Sequence, residues 1–342
     1  MKRIRLGTRP SALAMWQATW TRDALVALGL EVEIVQITTT GDVNRNEAIV
    51  NLGAQGVFTK EIQKALLLGE IDVAAHSLKD LPVEPTPGLV LAAVPERADY
   101  RDVFVSNRYA SIEELPPGAV LGTSSMRRQS MALRLCAKLR PDAEPWKIVS
   151  ARGNVETRLR KLDEGEYDAI ILASAGLERL DLAARARQYL ERPDFLPAVG
   201  QGALGLETRA DDVDTRAQVA RLLHEPTYLA TIAERAFLGR LQGGCIAPIG
   251  ALGSVTEVDG VGEALVLQAE ALSFDGSRSF SGQSLQVIPS VADGSPLPLE
   301  TKRALAEMLG RSAAENLLEQ GAQELVDEIK RFREERSLKR QS

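Results

Sequence analysis

The same order of short motifs occurs twice in the first half of this chain. A run with apolar residues at helical spacing follows Leu6-Gly7-Thr8, and a second follows Leu121-Gly122-Thr123. Later in each half, a buried-strand pattern follows an acidic turn, first Gly69-Glu70-Ile71-Asp72 and then Gly165-Glu166-Tyr167-Asp168. Strands that alternate with helices predict a parallel sheet with helices on both faces. The repeat therefore predicts two similar α/β domains; ordinary strand–turn–helix junctions are the alternative.

Residues after Gly250 have a different pattern, which predicts a third domain of α+β type. Alternating apolar residues predict two strands around an Asp275-Gly276 turn, and two amphipathic helices follow them. The predicted strands are 3–7, 32–37, 72–76, 204–208, 264–273 and 279–287. The predicted helices are 11–28, 58–68, 126–138, 298–318 and 322–336. Two connections, 95–102 and 192–199, are the candidate crossings between the first two domains.

The composition excludes several classes of protein. A chain of 342 residues is long enough for two or three domains. A formal net charge of −6 and an aromatic content of 4% disfavour binding to nucleic acid or a membrane surface. The few cysteines and histidines form neither a disulfide framework nor a metal-ligand pattern, so no metal is expected. Because the chain shows neither a signal peptide nor an apolar run of membrane-spanning length, we expect a cytoplasmic protein.

Arginines stand at three predicted helix starts. The motifs are Gly7-Thr8-Arg9-Pro10-Ser11, Gly122-Thr123-Ser124-Ser125-Met126-Arg127-Arg128-Gln129 and Arg152-Gly153-Asn154-Val155-Glu156-Thr157-Arg158. Helix starts and guanidinium groups both bind anions, so the three motifs together predict a ligand with several carboxylates. Arg127 and Arg128 should point about 100° apart, so that one ligand group would rarely meet both unless the ligand is large or polyanionic. The alternatives for single motifs are an N-cap at Ser11, solvated arginines and surface salt bridges.

Two further motifs carry reactive side chains. Asp80 and Lys79 follow a buried strand in His76-Ser77-Leu78-Lys79-Asp80-Leu81-Pro82, at the strand end where open α/β sheets bind ligands. Asp80 is therefore a candidate catalytic carboxylate, with helix capping as the alternative. Glycines precede the second thiol in Gln242-Gly243-Gly244-Cys245, which predicts a loop cysteine; burial as a small apolar side chain is the alternative. Cys136 follows the apolar pattern of a helix and is predicted to lie in the core.

The run Gly200-Gln201-Gly202-Ala203-Leu204-Gly205 has the spacing of a dinucleotide-binding loop. Pro197 precedes it, no convincing strand leads into it, and a strand rather than a long helix is predicted after it. We therefore exclude a nicotinamide enzyme.

Taken in order, these motifs resemble those of the porphobilinogen deaminase family. The resemblance runs from about Arg3 to Gly250 and is weaker beyond it. It rests on Thr8-Arg9-Pro10-Ser11, His76-Ser77-Leu78-Lys79-Asp80, Gly122-Thr123-Ser124-Ser125-Met126-Arg127-Arg128, Arg152-Gly153-Asn154-Val155, Leu196-Pro197-Ala198-Val199-Gly200-Gln201-Gly202 and Gly243-Gly244-Cys245. It implies two α/β domains like type II periplasmic binding proteins and a smaller α+β C-terminal domain. The implied domain bounds are 1–98 with 197–218, 99–196, and 219–342.

The resemblance implies a transferase of tetrapyrrole biosynthesis. Such an enzyme joins four porphobilinogen units head to tail into hydroxymethylbilane and releases ammonia at each addition. A dipyrromethane cofactor would be attached by a thioether to Cys245, and Asp80 would stabilise the cationic azafulvene that forms when the substrate amine leaves. The expected partner is the small-molecule substrate, and the expected state is a monomer. A non-catalytic receptor for a small polycarboxylate anion is the alternative.

The resemblance also implies the binding residues. Those for the cofactor are Cys245, Lys79, Arg127, Arg128, Ser125, Thr123, Arg152, Gly153 and Asp42. Those for the substrate are Arg9, Ser11, Gln17, Arg152, Arg158, Arg179 and Gln201. One position departs from the family pattern, because Gln55 replaces the usual lysine in the loop Gly53-Ala54-Gln55-Gly56 and so removes a charge from this candidate lid.

Overall fold

The chain forms three sheets with helices around them. The structure, a computed structural model, describes residues 3–38, 59–242, 247–260, 262–289 and 296–338. The strands of these ranges are β1 (Ile4–Thr8), β2 (Val32–Gln36), β3 (Val73–Ser77), β4 (Leu89–Ala93), β5 (Asp102–Val105), β6 (Val120–Gly122), β7 (Lys147–Val149), β8 (Ala169–Ala173), β9 (Gln188–Leu190), β10 (Leu204–Arg209), β11 (Ile249–Val258), β12 (Gly262–Leu272) and β13 (Ser279–Val287). The helices are α1 (Ala12–Ala27), α2 (Lys60–Leu67), α3 (Met126–Leu139), α4 (Val155–Asp163), α5 (Ser174–Glu178), α6 (Val213–Ala220), α7 (Glu225–Arg240), α8 (Leu299–Leu317) and α9 (Gln323–Leu338).

The first sheet has the strand order β2-β1-β3-β10-β4. Strand β1 pairs in parallel with β2 and β3, whereas β10 runs antiparallel to β3 and β4. Alternate side chains enter two separate cores: Leu6 packs with Leu25 of α1, and Ala74 packs with Leu66 of α2 on the other side. Helices therefore cover both faces, as predicted.

The second sheet repeats the first, with the strand order β7-β6-β8-β5-β9. Strand β6 is parallel to β7 and β8, and β5 is antiparallel to β8 and β9. The two sheets match strand for strand, which confirms the two similar α/β domains. The expectation of a wholly parallel sheet is wrong, because β10 and β5 oppose their neighbours. Each of these strands enters from the other sheet, so no βαβ connection requires it to be parallel.

The third sheet is antiparallel, with the order β11-β12-β13. Leu265, Leu267 and Ala269 of β12 face a core that also contains Phe237 of α7 and residues of α8 and α9. On the opposite face, Leu272 joins the core of the second domain. The α+β class of this smaller domain is confirmed, and its central sheet contacts helices on one side and a neighbouring domain on the other.

Short-range sequence signals account for the helix bounds near the predicted site. Ser11 has an extended backbone, and its side chain accepts a hydrogen bond from the Ala14 N–H. Ser125 caps α3 in the same way by accepting from the Arg128 N–H. Gly29 ends α1 with a φ of +84°, a conformation that glycine adopts without strain. The predicted helices over 11–28 and 126–138 are thus confirmed.

The two predicted crossings connect the first and second sheets. One leads from β4 to β5, and the other leads from β9 back to β10. Glu234 of α7 is fully buried between them and accepts hydrogen bonds from Arg97 Nη1 at 2.6 Å, the Gly200 N–H at 2.7 Å and the Gly253 N–H at 2.9 Å. A single carboxylate of the third domain therefore holds both crossings and strand β11 together.

Candidate functional site

Asp80 and Lys79 lie where the sequence places them, directly after β3. They belong to a short 3-10 turn, Leu78–Asp80, at the carboxyl end of that strand. Leu78 is fully buried and anchors the turn, while Lys79 is half-buried and Asp80 is exposed. The turn therefore presents an ammonium and a carboxylate side by side at the edge of the first sheet.

Both adjacent arginines of α3 bind one carboxylate, that of Asp102 at the start of β5. Arg127 Nη1 donates to Oδ2 at 2.7 Å, and Arg128 Nη2 donates to Oδ1 at 2.7 Å. One protein carboxylate meets both arginines because the first turn of α3 straddles Asp102 and each guanidinium reaches a different oxygen; the expectation for a ligand group stays a prediction. The two guanidinium groups hold the pKa of Asp102 far below its usual range despite its burial.

Gln201 connects this cluster to the first domain. Its side-chain N–H groups donate to the Tyr100 carbonyl and to Asp102 Oδ1, each at 2.8 Å. Its Oε1 accepts from Lys79 Nζ at 3.3 Å and from Arg128 Nη2 at 3.5 Å. The buried Gln201 amide therefore connects Lys79 of the first domain with Arg128 of the second through hydrogen bonds.

The guanidinium of Arg158 completes the group. Arg158 extends from α4, and its Nε donates to the Gly153 carbonyl at 2.9 Å. Burial lowers the pKa of Arg158 to about 10; the positive charge of nearby Arg128 lowers it too, and the carboxylate of Asp80 raises it. These electrostatic contacts bring together residues from three of the predicted motifs. We call Lys79, Asp80, Asp102, Arg127, Arg128, Arg158 and Gln201 the basic site.

The Lys79 ammonium is strongly affected by its surroundings. Burial, together with the positive charge of Arg128, lowers its pKa to about 8 against the opposing effects of Asp80 and Asp102. A further anion that approached Lys79 would stabilise its ammonium form against burial and the charge of Arg128. The basic site therefore favours a ligand that brings carboxylates of its own.

Trp16 and Arg179 meet across the two α/β domains. The Arg179 guanidinium lies 5.4 Å from the centre of the Trp16 ring, and its Nη2 donates to the Gly202 carbonyl at 2.7 Å. Burial lowers the pKa of Arg179 to about 10. Gln17, the residue after Trp16, is buried and donates to Ser77 Oγ at 2.7 Å. The predicted substrate residues Gln17 and Arg179 are thus fixed by partners within the protein.

The remaining predicted residues occupy the strand ends around this group. Thr123 is buried, and its Oγ1 accepts from the Ser125 N–H at 3.2 Å. Arg152 is half-buried, and its Nε donates to Ser150 Oγ at 2.9 Å. Gly153 has a φ of +106°, which supports the turn before α4. Arg9, half-buried, directly follows β1 and precedes the cap residue Ser11.

Two parts of the predicted site lie outside the described residues. Cys245, with Gly243 and Gly244, is one of them. The other contains Asp42 and the departure at Gln55. Cys136 is described, and it lies in the core of the second domain as predicted. Among the described ranges, no three His, Cys, Asp or Glu side chains cluster so that they could hold a metal ion.

Sequence reasoning missed Asp102 and Glu234, the two buried carboxylates that organise the site. Asp102 precedes the apolar run Val103-Phe104-Val105 in a fully buried strand. A charged residue in such a strand needs partners, and this was the signal that could have identified it. Glu234 lies within α7, where no local pattern marks it. Their arginine and amide partners are distant in the sequence, so neither role could be predicted from spacing.

Comparison with known proteins places the chain. The family model described as "Porphobilinogen deaminase, dipyromethane cofactor binding domain" matches residues 4–217, and "Porphobilinogen deaminase, C-terminal domain" matches residues 228–319. The chain belongs to the porphobilinogen deaminase family. A relative from Laribacter hongkongensis, named "Porphobilinogen deaminase", is 43% identical over 332 residues, which cover 96% of this chain and 99% of the relative.

Two of the solved structures that the chain resembles are described as binding proteins. A periplasmic substrate-binding protein of an ABC transporter from Coxiella burnetii is 18% identical, with a TM-score of 0.40 over 68% of this chain and 96% of its own. The methionine-binding protein MetQ is 16% identical, with a TM-score of 0.41 over 68% of this chain and 93% of its own.

No helix in the described ranges is both long enough and apolar enough to cross a membrane.

Proposed function

We propose that the basic site carries out the reaction of the family. That reaction joins four porphobilinogen molecules head to tail into hydroxymethylbilane and releases ammonia. The chain is thus a transferase of porphyrin and tetrapyrrole biosynthesis. The observation that carries this proposal is the charge of the basic site, where, among the described residues, Lys79, Arg127, Arg128 and Arg158 outnumber the carboxylates of Asp80 and Asp102. Substrate and product both carry acetate and propionate groups, which supply the missing negative charge.

The described residues fit a dipyrromethane cofactor. Lys79 and Arg158 have lowered pKa values because they are buried among other cations, so carboxylates of a bound group would stabilise both. When bound, the dipyrromethane supplies the pyrrole end to which the first substrate is joined. We expect Lys79, Arg127, Arg128, Ser125, Thr123, Arg152, Gly153 and Asp42 to hold it, with the thioether at Cys245.

Asp80 is the residue to which we assign the chemistry. It accepts no hydrogen bond from any described residue, so its carboxylate is available to a pyrrole N–H in front of β3. Loss of ammonia leaves positive charge on the substrate ring, and a carboxylate held beside that ring stabilises the charge as it develops. The negative charge of Asp80 raises the pKa values of Lys79 and Arg158, so the carboxylate interacts electrostatically with both cations of the basic site.

We expect the substrate residues to hold the substrate near Asp80. Arg9, Ser11 and Gln17 come from the first domain, Arg152, Arg158 and Arg179 from the second, and Gln201 from the returning crossing. Arg9 and Ser11 stand at the start of α1, where the positive end of the helix dipole adds to the attraction for a carboxylate. Carboxylates of the incoming substrate can therefore be held from both sides of Asp80.

A receptor without chemistry would use the same cations. The porphobilinogen deaminase models account for most of residues 4–319 and include a cofactor-binding domain, which a receptor does not require. The receptor is therefore not favoured. The monomeric state, the cytoplasmic location and the domain bounds 1–98 with 197–218, 99–196 and 219–342 remain predictions; size-exclusion chromatography with light scattering tests the first.

The decisive experiment measures the intact mass of the purified protein together with ammonia release from porphobilinogen. We expect a covalent dipyrromethane on the wild-type chain, and no adduct and no turnover in Cys245→Ala. The matched control is Cys136→Ala, which removes the other thiol from the second-domain core and should keep the adduct. An unmodified, folded wild-type protein from cells that make porphobilinogen would contradict the proposal, as would an adduct that survives Cys245→Ala.

A further inference from the structure

A polar groove separates the sheet of the third domain from the two crossings. It consists of two neighbouring cavities of about 320 and 700 Å³, both lined by Arg192 and Gln268. The smaller cavity also contacts Tyr100 of the first crossing, and the larger one contacts Leu196 of the second. The groove therefore lies against the chain segments that connect the two α/β domains, and it shares no lining residue with the basic site.

The floor of the larger cavity is a regular array of polar side chains. Glu270 of β12 is directly opposite Ser281 of β13, and Gln268 is opposite Gln283. Gln268 Nε2 donates to Gln283 Oε1 at 2.9 Å, which fixes the second of these pairs. Residues two apart on a strand project from the same face, about 7 Å apart. Glu270 and Gln268 therefore present two polar positions at that spacing along the groove.

Glu270 carries an acceptor that the protein leaves unused. The residue is 3% exposed, and Arg134 of α3 binds its Oε1. The other oxygen, Oε2, is buried and accepts no hydrogen bond from any described residue. Glu270 lines the larger cavity, so rotation of its carboxylate would bring this unsatisfied oxygen to a ligand N–H donor. Burial also raises the pKa of Glu270, as expected for a carboxylate short of donors.

Arg192 provides the complementary charge. Its Nη1 binds Gln268 Oε1 across the groove, and no carboxylate of the described residues lies within ion-pair distance of it. The guanidinium has five donors, so most of them stay available to an anion. Arg192 binds Gln268, which is two residues from Glu270 on the same face of β12, so a cation and a carboxylate border the same cavity.

From this pairing we propose that the groove binds a small zwitterion. The ligand's ammonium would donate to Glu270 Oε2, and its carboxylate would accept from Arg192. Because Glu270 and Arg192 belong to different segments that border a cavity of about 700 Å³, the proposed ligand has its two charges separated by several bonds, as in an ω-amino acid. The ligand would tie the second crossing to β12. A further consequence, which rests on the proposed function, is that the bound ligand slows any step of chain elongation in which the two α/β domains move.

Calorimetric titration of the full-length protein with 6-aminohexanoate tests the site. The extended probe carries an ammonium and a carboxylate at opposite ends of an aliphatic chain. We expect binding to one site per chain, and about tenfold weaker binding of hexanoate and of hexylamine, because each lacks one charge-assisted contact. Equal binding of the three compounds, or no binding of 6-aminohexanoate, would overturn the proposal.

Two variants separate the groove from the rest of the surface. Arg192→Gln changes an exposed residue and should weaken 6-aminohexanoate about tenfold, and Glu270→Gln should do the same by placing a donor at the acceptor position. The matched control is Arg311→Gln on α8, an exposed arginine far along the chain, which should leave affinity unchanged. Should Glu270→Gln fail to fold, Arg192→Gln decides. Unchanged affinity of Arg192→Gln for 6-aminohexanoate would contradict the proposed binding site.

Activity measurements keep this inference distinct from the proposed function. Saturating 6-aminohexanoate should lower ammonia release by the wild-type protein and leave Arg192→Gln unaffected. If the protein binds 6-aminohexanoate in the calorimeter but releases no ammonia from porphobilinogen, the proposed function is contradicted and the groove proposal stands. An active enzyme that binds no 6-aminohexanoate would contradict the groove proposal and support the proposed function.

Discussion

Asp80 and Asp102 show how two aspartates in one site take different roles. Asp102 is buried, and two guanidinium groups and the Gln201 amide saturate its oxygens. Asp80 is exposed and has no such partners among the described residues, so it can respond to a ligand. The buried carboxylate fixes the arginines in place, while we propose that the exposed one acts on the substrate.

Replacement of Asp80 by asparagine tests that division. Asp80→Asn keeps the shape of the side chain but removes the charge that stabilises a cationic substrate ring. We expect the dipyrromethane adduct to remain and turnover to fall by about 100-fold or more, the range for loss of an electrostatic catalytic group. Intact mass and the rate of ammonia release measure the two effects. Asp142→Asn, at an exposed position after α3, is the control, and full activity of Asp80→Asn would remove Asp80 from its role.

The lowered pKa of Lys79 predicts a pH dependence. Its pKa is about 8 in the folded protein, so the ammonium is charged below that pH and becomes neutral as the pH rises through 8. Carboxylate binding by Lys79 is therefore lost above pH 8. We expect the KM for porphobilinogen to rise across that range, and the rise to disappear in Lys79→Arg, since arginine stays charged. The same rise in both proteins would assign it to another group.

At the level of elements, helix α3 depends on a hairpin of the third domain. Its first turn carries Arg127 and Arg128, and its next turn packs on the loop between β12 and β13. Ser130 Oγ donates to the Phe274 carbonyl at 3.1 Å. A Cβ at Gly276 would lie 2.3 Å from the Ser130 carbonyl oxygen, so only glycine permits this approach. The hairpin therefore sets the position from which the arginines reach Asp102.

Gly276→Ala should disturb that contact. The glycine has a φ of +74°, which costs an alanine about 1–2 kcal/mol, and the clash with Ser130 adds to this. We expect a lower Tm and, because α3 must shift, a higher KM for porphobilinogen. Gly260→Ala is the matched control: its φ is +73°, but an added Cβ meets nothing within 4 Å. Equal effects of the two substitutions would show that backbone strain alone is responsible.

For the whole molecule, the connection between the three domains runs through Glu234. The Arg97 guanidinium binds both of its oxygens and also donates to the Gln201 carbonyl at 2.7 Å. Gln201 in turn binds Asp102 and Lys79, so the junction of the domains is continuous with the basic site. Movement of one α/β domain relative to the other must therefore pivot around this buried network.

Glu234→Gln removes the charge that compensates Arg97 in the interior. A buried guanidinium without its carboxylate destabilises a protein by about 3–5 kcal/mol, so we expect a fall in Tm of several degrees. Thermal unfolding followed by circular dichroism measures it. Glu225→Gln lies on the same helix but pairs with Lys302 near the surface, and it should change stability by about 1 kcal/mol or less. Similar losses in both variants would contradict the central role of Glu234.

Most of the secondary structure and the reactive positions could be predicted from the sequence, because their determinants are local. Ser11 and Ser125 cap helices through atoms a few residues away, and β12 and β13 follow alternating patterns around one turn. Asp80 was found from its position after a buried strand. Such signals depend on neighbours along the chain, and the family resemblance added the expected roles.

Tertiary structure alone decided which charges meet. Asp102 lies 25 and 26 residues from its two arginines and 99 from Gln201, and Glu234 binds partners on both crossings. The antiparallel strands β5 and β10 likewise follow from the path of the chain between domains. A buried carboxylate is stable only where several distant donors converge on it, and that convergence is a property of the packed domains, which no local pattern of residues records.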